Sequence, residues 1–209
     1  MISHKHKCIF IHIPKCGGSS IEDIIWPHKE GRDENSLWMG MISKYRNKYQ
    51  TGGLQHLLAQ QVRQEVGVDV FDEYFKFSFV RNPWDKAVSQ FLFMRKIPFL
   101  RKYIGMSKNA EFKKYLSLIQ QKKHVQWEPQ SAFLENENGE ILVDFIGRFE
   151  NYENDVRSLL LQLQISGIDE IPHRKRASRA HYRDYYDAES EEMVRDIYQQ
   201  DIVKFNYEF

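Results

Sequence analysis

The eight residues Ile13-Pro14-Lys15-Cys16-Gly17-Gly18-Ser19-Ser20 constrain the fold most tightly. They lie between an apolar run, Cys8-Ile9-Phe10-Ile11-His12-Ile13, and a helical pattern at Ile21, Ile24 and Ile25. Strand, glycine turn and helix start, in that order, make a cradle for an anion. The glycines let successive N–H groups face one point, and the helix N-terminus adds partial positive charge. Lys15 adds a full charge. In the common nucleotide-triphosphate loop the lysine follows the glycines, as G-x-x-x-x-G-K-[ST], whereas here it precedes them, which disfavours a kinase or an ATPase.

A second segment has the same grammar. Phe75-Lys76-Phe77-Ser78-Phe79-Val80 reads as a buried strand and leads at once into Arg81-Asn82-Pro83-Trp84-Asp85. Asn82 suits a helix N-cap, Pro83 the first helical position and Asp85 the third. Ala87, Val88, Phe91 and Leu92 then recur at helical spacing. Arg81 therefore sits at a strand end and Ser89 on the helix after it, where both can reach one ligand; arginine holds phosphate bidentately and serine adds a hydroxyl.

The rest of the chain reads as one unit, residues 1–209, with no repeats, low-complexity tracts or proline-rich linkers. Residues 27–53, with Gly31, Gly40, Gly52 and Gly53, read as a partly ordered excursion over the site. Leu54, Leu57, Leu58, Val62 and Val66 fit a helix ending near Gly67; Phe112, Tyr115, Leu116 and Ile119 fit another. Ile141–Ile146 reads as a third strand, with Gly147 and Arg148 at its end, followed by a helix lined by Val156, Leu159, Leu160 and Leu163. Met193, Val194, Ile197, Tyr198 and Ile202 give a last helix capped by Asp187. Apolar strands alternating with helices predict an α/β fold whose mainly parallel central sheet is flanked by helices, with ligands at the strands' C-terminal ends.

Composition excludes several partners. With 30 Lys and Arg against 29 Asp and Glu there is no global pull toward nucleic acid or membranes, so anion sites must be local. One is the stretch Arg174, Lys175, Arg176, Arg179 and Arg183, with His173 and His181 among them. No apolar run is long enough to span a bilayer, and Met1–Lys7 leads straight into the first strand without the pattern of a signal peptide. Two cysteines make no disulfide framework, which fits the cytoplasm. No clustered carboxylates or histidines stand at metal-ligand spacing, so no metal is expected.

With both anion segments in hand, the chain resembles the sulfotransferases that use 3′-phosphoadenosine 5′-phosphosulfate (PAPS), in particular the carbohydrate sulfotransferase branch. The matching text is IPKCGGSSI for the 5′-phosphosulfate loop and FVRNPWDKAVSQF for the 3′-phosphate site; the similarity extends to VDFIGRFENYENDV and YYDAESEEMVRDIYQQDIVKFNY. The resemblance implies a P-loop-like sulfotransferase fold and transfer of a sulfuryl group from PAPS to a hydroxyl, that of a carbohydrate. It implies that Lys15, Cys16, Gly17, Gly18, Ser19 and Ser20 hold the phosphosulfate and that Arg81 and Ser89 hold the 3′-phosphate. Lys15 stabilises the leaving group, and His56, upstream of the second strand, is the base, a role that a neutral imidazole suits. Members of the branch close the site with a late basic segment, here Arg176, Ser178 and Arg179; that stretch otherwise reads as a solvated loop. Tyr182, Tyr185 and Tyr186 either pack on the last helix or line a sugar site.

Other histidines compete. His124 lies near Trp127 in a segment that resembles the substrate side of the family, but relatives place a histidine directly before that tryptophan and this chain has Gln126. His12 reads as a core histidine of the first strand. Two other readings stay open: a nucleotide kinase of similar architecture, against which the displaced lysine and the lack of a metal carboxylate count, and a binding module that keeps the nucleotide site without turnover.

Overall fold

In the computed structural model, Cys8–Ile11 forms β2, buried at every position, as a strand covered on both faces must be. The structure describes residues 1–27, 37, 41–46, 51–53, 56–172 and 179–209. Strand β1 (Ile2–Ser3) runs antiparallel to β2. Strand β5 (Phe75–Val80) lies parallel to β2 with Phe10 opposite Phe77, their rings stacked 5.0 Å apart, and β6 (Phe145–Arg148) lies parallel to β5. The sheet order is β1-β2-β5-β6, and a separate antiparallel hairpin joins β3 (Met41–Arg46) to β4 (Thr51–Gly53). These two strands fall within the excursion expected over residues 27–53.

Helices follow the strands. Helix α1 (Gly18–Ile25) buries Ile21, Ile24 and Ile25. Next come α2 (Ala59–Val66) and α3 (Val68–Glu73), split by Gly67 at φ 85°. Helix α4 (Pro83–Met94) starts as its sequence dictates: the Asn82 side chain accepts the N–H groups of Trp84 and Asp85, and Pro83 occupies the first turn. Then follow α5 (Pro98–Ile104), α6 (Phe112–Gln120), α7 (Gln130–Leu134) and α8 (Tyr152–Gln162). Helix α9 (Ala188–Ile197), capped by Asp187, and α10 (Gln199–Phe205) complete the chain. Among the described residues no helix is long and apolar enough to cross a membrane.

Three expectations shift. The third strand begins at Phe145, because Ile141 bridges to Glu135 and the Leu142 N–H donates to the Leu134 carbonyl, which draws those residues toward the end of α7. Helix α2 starts at Ala59, since Leu58 is extended and its N–H is taken by the Gln61 side chain at 2.9 Å; Leu54 lies outside the described residues. The last helix is two, broken at Tyr198, whose hydroxyl donates to the Trp127 carbonyl at 3.0 Å.

A buried polar cluster fixes α7 beneath the sheet's C-terminal edge. The fully buried Asp201 accepts the N–H of Gln130 (2.7 Å) and the N–H and hydroxyl of Ser131 (both 2.8 Å), so a carboxylate from α10 satisfies the first amides of α7. Asp201→Asn turns an amide NH₂ toward one of those donors. We expect it to cost about 2–3 kcal/mol, the scale of a buried charged hydrogen bond, read as a lowered urea midpoint with an unchanged slope.

Candidate active site

A cavity of about 800 Å³ opens at the C-terminal ends of β2 and β5, where α1 and α4 begin. This is where an α/β sheet binds its ligands, and the size is that of a small-molecule site. Its walls include Lys15, Gly17, Gly18, Ser19 and Ser20 from the first turn, and Arg81 and Ser89 from the second. They also include Arg179. Of the residues expected at a donor site, Arg176 and Ser178 lie outside the described residues.

Close packing forces the turn to be glycine. Gly17 has φ 87°, and a Cβ there would come within 2.6 Å of the Tyr152 ring; a Cβ on Gly18 would come within 2.2 Å of His12 Nε2. Tyr152 also donates its hydroxyl to the Gly17 carbonyl at 2.9 Å. The Ser20 N–H is already drawn into the helix, donating to the Gly17 carbonyl at 3.1 Å, so the cradle's amides come from the turn ahead of it. Lys15 takes φ 70°, and its ammonium rests 4.4 Å from the centre of the Phe93 ring on α4.

Arg81 ties the two turns together. Its Nε donates to Asp85 Oδ2 at 2.8 Å, its Nη2 lies 2.7 Å from the same oxygen, and its Nη1 donates to the Lys15 carbonyl at 2.9 Å. The guanidinium carbon lies 3.9 Å from the centre of the Phe149 ring. Two of its five N–H donors remain for an anion. Asp85 Oδ1 pairs with Arg179, so one carboxylate holds two arginines on the cavity wall.

Cys16 departs from expectation. Its side chain turns into the core, donating to Gln130 Oε1 at 3.2 Å, and burial pushes its thiol up to about 12 instead of favouring a thiolate. Burial outweighs the nearby Lys86 and Arg81 charges, which act the other way. The Cys16 side chain is thus a buried brace of the loop, and any contact of Cys16 with an anion would be through its backbone.

The histidines separate by partner. His56 is buried ahead of α2 and not on the described cavity wall, with its ring edge-on to His12 at 4.8 Å. Its Nδ1 lies 3.2 Å from the His12 carbonyl; a carbonyl only accepts, so Nδ1 carries the proton and Nε2 the lone pair. Burial and the neighbouring His12, His124 and Lys15 push its pKa down to about 3, so the ring is neutral. His124 spends its Nδ1 lone pair on the Gln126 N–H at 3.1 Å and stacks on Trp127 at 4.8 Å, which removes it as a proton acceptor there. His12, read from sequence as a core residue, lines the cavity, with Nδ1 2.9 Å from Glu22 Oε1.

Sequence reasoning also passed over Asp85, Phe149, Glu150, Tyr152 and Glu153, all on the cavity wall. The signal was there for most: they follow β6 as Arg81 follows β5, at a strand's C-terminal end. Of the tyrosines, Tyr182 lines the cavity, whereas Tyr186 packs on Phe112 and donates to the Trp84 carbonyl.

Residues 1–208 match the model of the Sulfotransferase family, and the chain belongs to that family. An uncharacterized protein of Archaeoglobus fulgidus is 30% identical over 105 residues, half of this chain and 80% of that protein. A crystal structure of a sulfotransferase from Alicyclobacillus acidocaldarius aligns over 96% of each chain, at 16% identity and a TM-score of 0.49.

Two outcomes follow from the titrating groups. Cys8 and Cys16 are both buried, each thiol pushed up to about 12, so at pH 8 iodoacetamide should leave both unlabelled until denaturant is added, with or without nucleotide. Mass spectrometry reads this. The depressed pKa of His56 means that its neutral burial stabilises the fold above the ordinary histidine range, and that this stability is lost as pH falls from about 6.5 toward about 3. A His56→Gln variant should show a shallower acid limb in its melting temperature against pH.

Proposed function

We propose that this sulfotransferase takes its sulfuryl group from PAPS and delivers it to a hydroxyl of a carbohydrate. The observation that carries the reading is the gathering of Lys15, Arg81, Ser89 and Arg179 with the start of α1 around one cavity. A ligand with two separated anionic ends fits such a wall. Lys15 and the Gly17-Gly18 turn stand at one strand end, and the Asp85-held arginines with Ser89 stand at the next.

When bound, PAPS supplies the activated sulfuryl group and a phosphate to leave with the bond's electrons. The turn's amides with Ser19 and Ser20 hold that phosphate, and Lys15 neutralises the charge that grows on it. Arg81, Ser89 and Arg179, with Arg176 and Ser178, hold the 3′-phosphate. His56 Nε2 receives the acceptor hydroxyl's proton; the His12 carbonyl on Nδ1 keeps the ring in the tautomer that can do so. The reduced, buried cysteines suit a cytoplasmic setting.

Calorimetry tests the donor. PAPS and its desulfated product should bind far more tightly than ATP, which has no 3′-phosphate. Arg81→Ala should weaken both by about 1.5–3 kcal/mol; equal affinity for ATP would sink the assignment. His56→Ala should leave donor binding near wild type while transfer to an acceptor that the wild type uses falls by roughly 10²–10⁴-fold. Near-normal transfer by that variant would move the proton to His12, the histidine on the wall. Transfer should persist in chelator, because Lys15 and backbone amides supply the charge that magnesium supplies in kinases.

A further inference from the structure

Residues 95–123, from the end of α4 through α5 and α6, carry nine Lys and Arg against a single acid, Glu111. The remaining residues hold 21 basic and 28 acidic side chains, so a chain of formal net charge +1 is strongly polarised. Of the nine cations, only Lys113 has a carboxylate partner among the described residues, Glu189. Elsewhere Lys7, Arg63, Lys76, Arg157, Arg195 and Lys204 are each paired with a carboxylate. Arg95, Lys96, Lys102, Lys108, Lys122 and Lys123 are exposed.

The face is not only charged. Phe99, beside the exposed Pro98 in the first turn of α5, is 63% exposed, with Lys96 and Lys102 on either side in sequence. A soluble polyanion would satisfy the cations and leave this ring in water. An anionic bilayer satisfies both, drawing lysines to its headgroups and taking the aromatic ring into its apolar boundary.

We propose that this face docks on an anionic lipid surface. The placement relative to the cavity is specific. Ser89 lines the cavity, Arg95 follows six residues later, about 9 Å along α4, and Phe93 between them carries the Lys15 ammonium. Docked in this way, the cavity lies close to the headgroups, where an acceptor attached to the membrane is within reach. The surface stands apart from the donor-binding residues, so it holds whichever acceptor hydroxyl is used.

Sedimentation of the full chain with phosphatidylcholine vesicles, with and without phosphatidylserine, tests this. The protein should bind only the phosphatidylserine vesicles, and binding should fall steeply with salt. Lys96→Gln, Lys102→Gln and Lys123→Gln together should lower binding by about a hundredfold, at roughly fivefold per charge. A control carrying Lys5→Gln, Lys7→Gln and Arg157→Gln, equal in charge change but on other faces, should bind like wild type. Phe99→Ser should weaken binding at every salt concentration. Donor-nucleotide affinity should be unchanged in all of these variants, which separates this surface from the transfer site. Equal binding to neutral vesicles, equal loss in the two triple variants, or binding to a soluble acidic polysaccharide without binding to vesicles would each overturn the proposal.

Discussion

The carboxamide of Gln130 holds the site together. Strand β5 ends at Val80, and the next residue, Arg81, has a buried backbone with no strand beside it to complete its hydrogen bonds. Gln130 takes the place of that strand: its Oε1 accepts the Arg81 N–H and its Nε2 donates to the Arg81 carbonyl, both at 2.8 Å. The same Oε1 accepts the Cys16 thiol, so one side chain joins the ends of two parallel strands where their helices diverge. An unpaired amide and carbonyl there would carry the full cost of desolvation. With its main chain satisfied from below, Arg81 can turn its guanidinium upward into the cavity.

Charge on the cavity wall is arranged on the same plan, with each cation held by something other than its prospective ligand. Asp85 fixes Arg81 and Arg179, Phe149 lies under the Arg81 guanidinium, and Phe93 lies under Lys15. Such positioning lowers the entropy lost when an anion binds, because the long side chains are already placed. Deeper down, Lys86 is fully buried, donating to the Glu128 carbonyl at 3.3 Å, and burial lowers its pKa. Asp201 acts on it with the opposite charge, so these two buried groups are internally matched.

How much of this was legible depended on sequence distance. Both strand-turn-helix units could be read because every signal in them is local: Asn82 caps amides two and three residues on, and the glycines lie beside the lysine they serve. The third strand was misplaced by a competition no local pattern reveals, between pairing with β5 and pairing with the end of α7. Gln130 carried no signal at all; its partners lie 49, 71 and 114 residues away. His124 and Cys16 had suitable chemistry but the wrong direction, one turned to a backbone amide and the other to the core, and direction is a property of packing.

Lys15 adopts a backbone conformation that L-residues with a Cβ occupy at a cost of about 1–2 kcal/mol. Glycine would sit there without strain, yet would bring no ammonium. The loop thus carries a small conformational debt at the point where an anion would be gripped, secured by the Arg81 bond to the Lys15 carbonyl and by the Tyr152 bond to Gly17. A bound anion that draws on the lysine and the turn's amides stiffens this one segment more than any other. Occupancy should therefore be legible without turnover, as slowed amide hydrogen exchange at the head of α1.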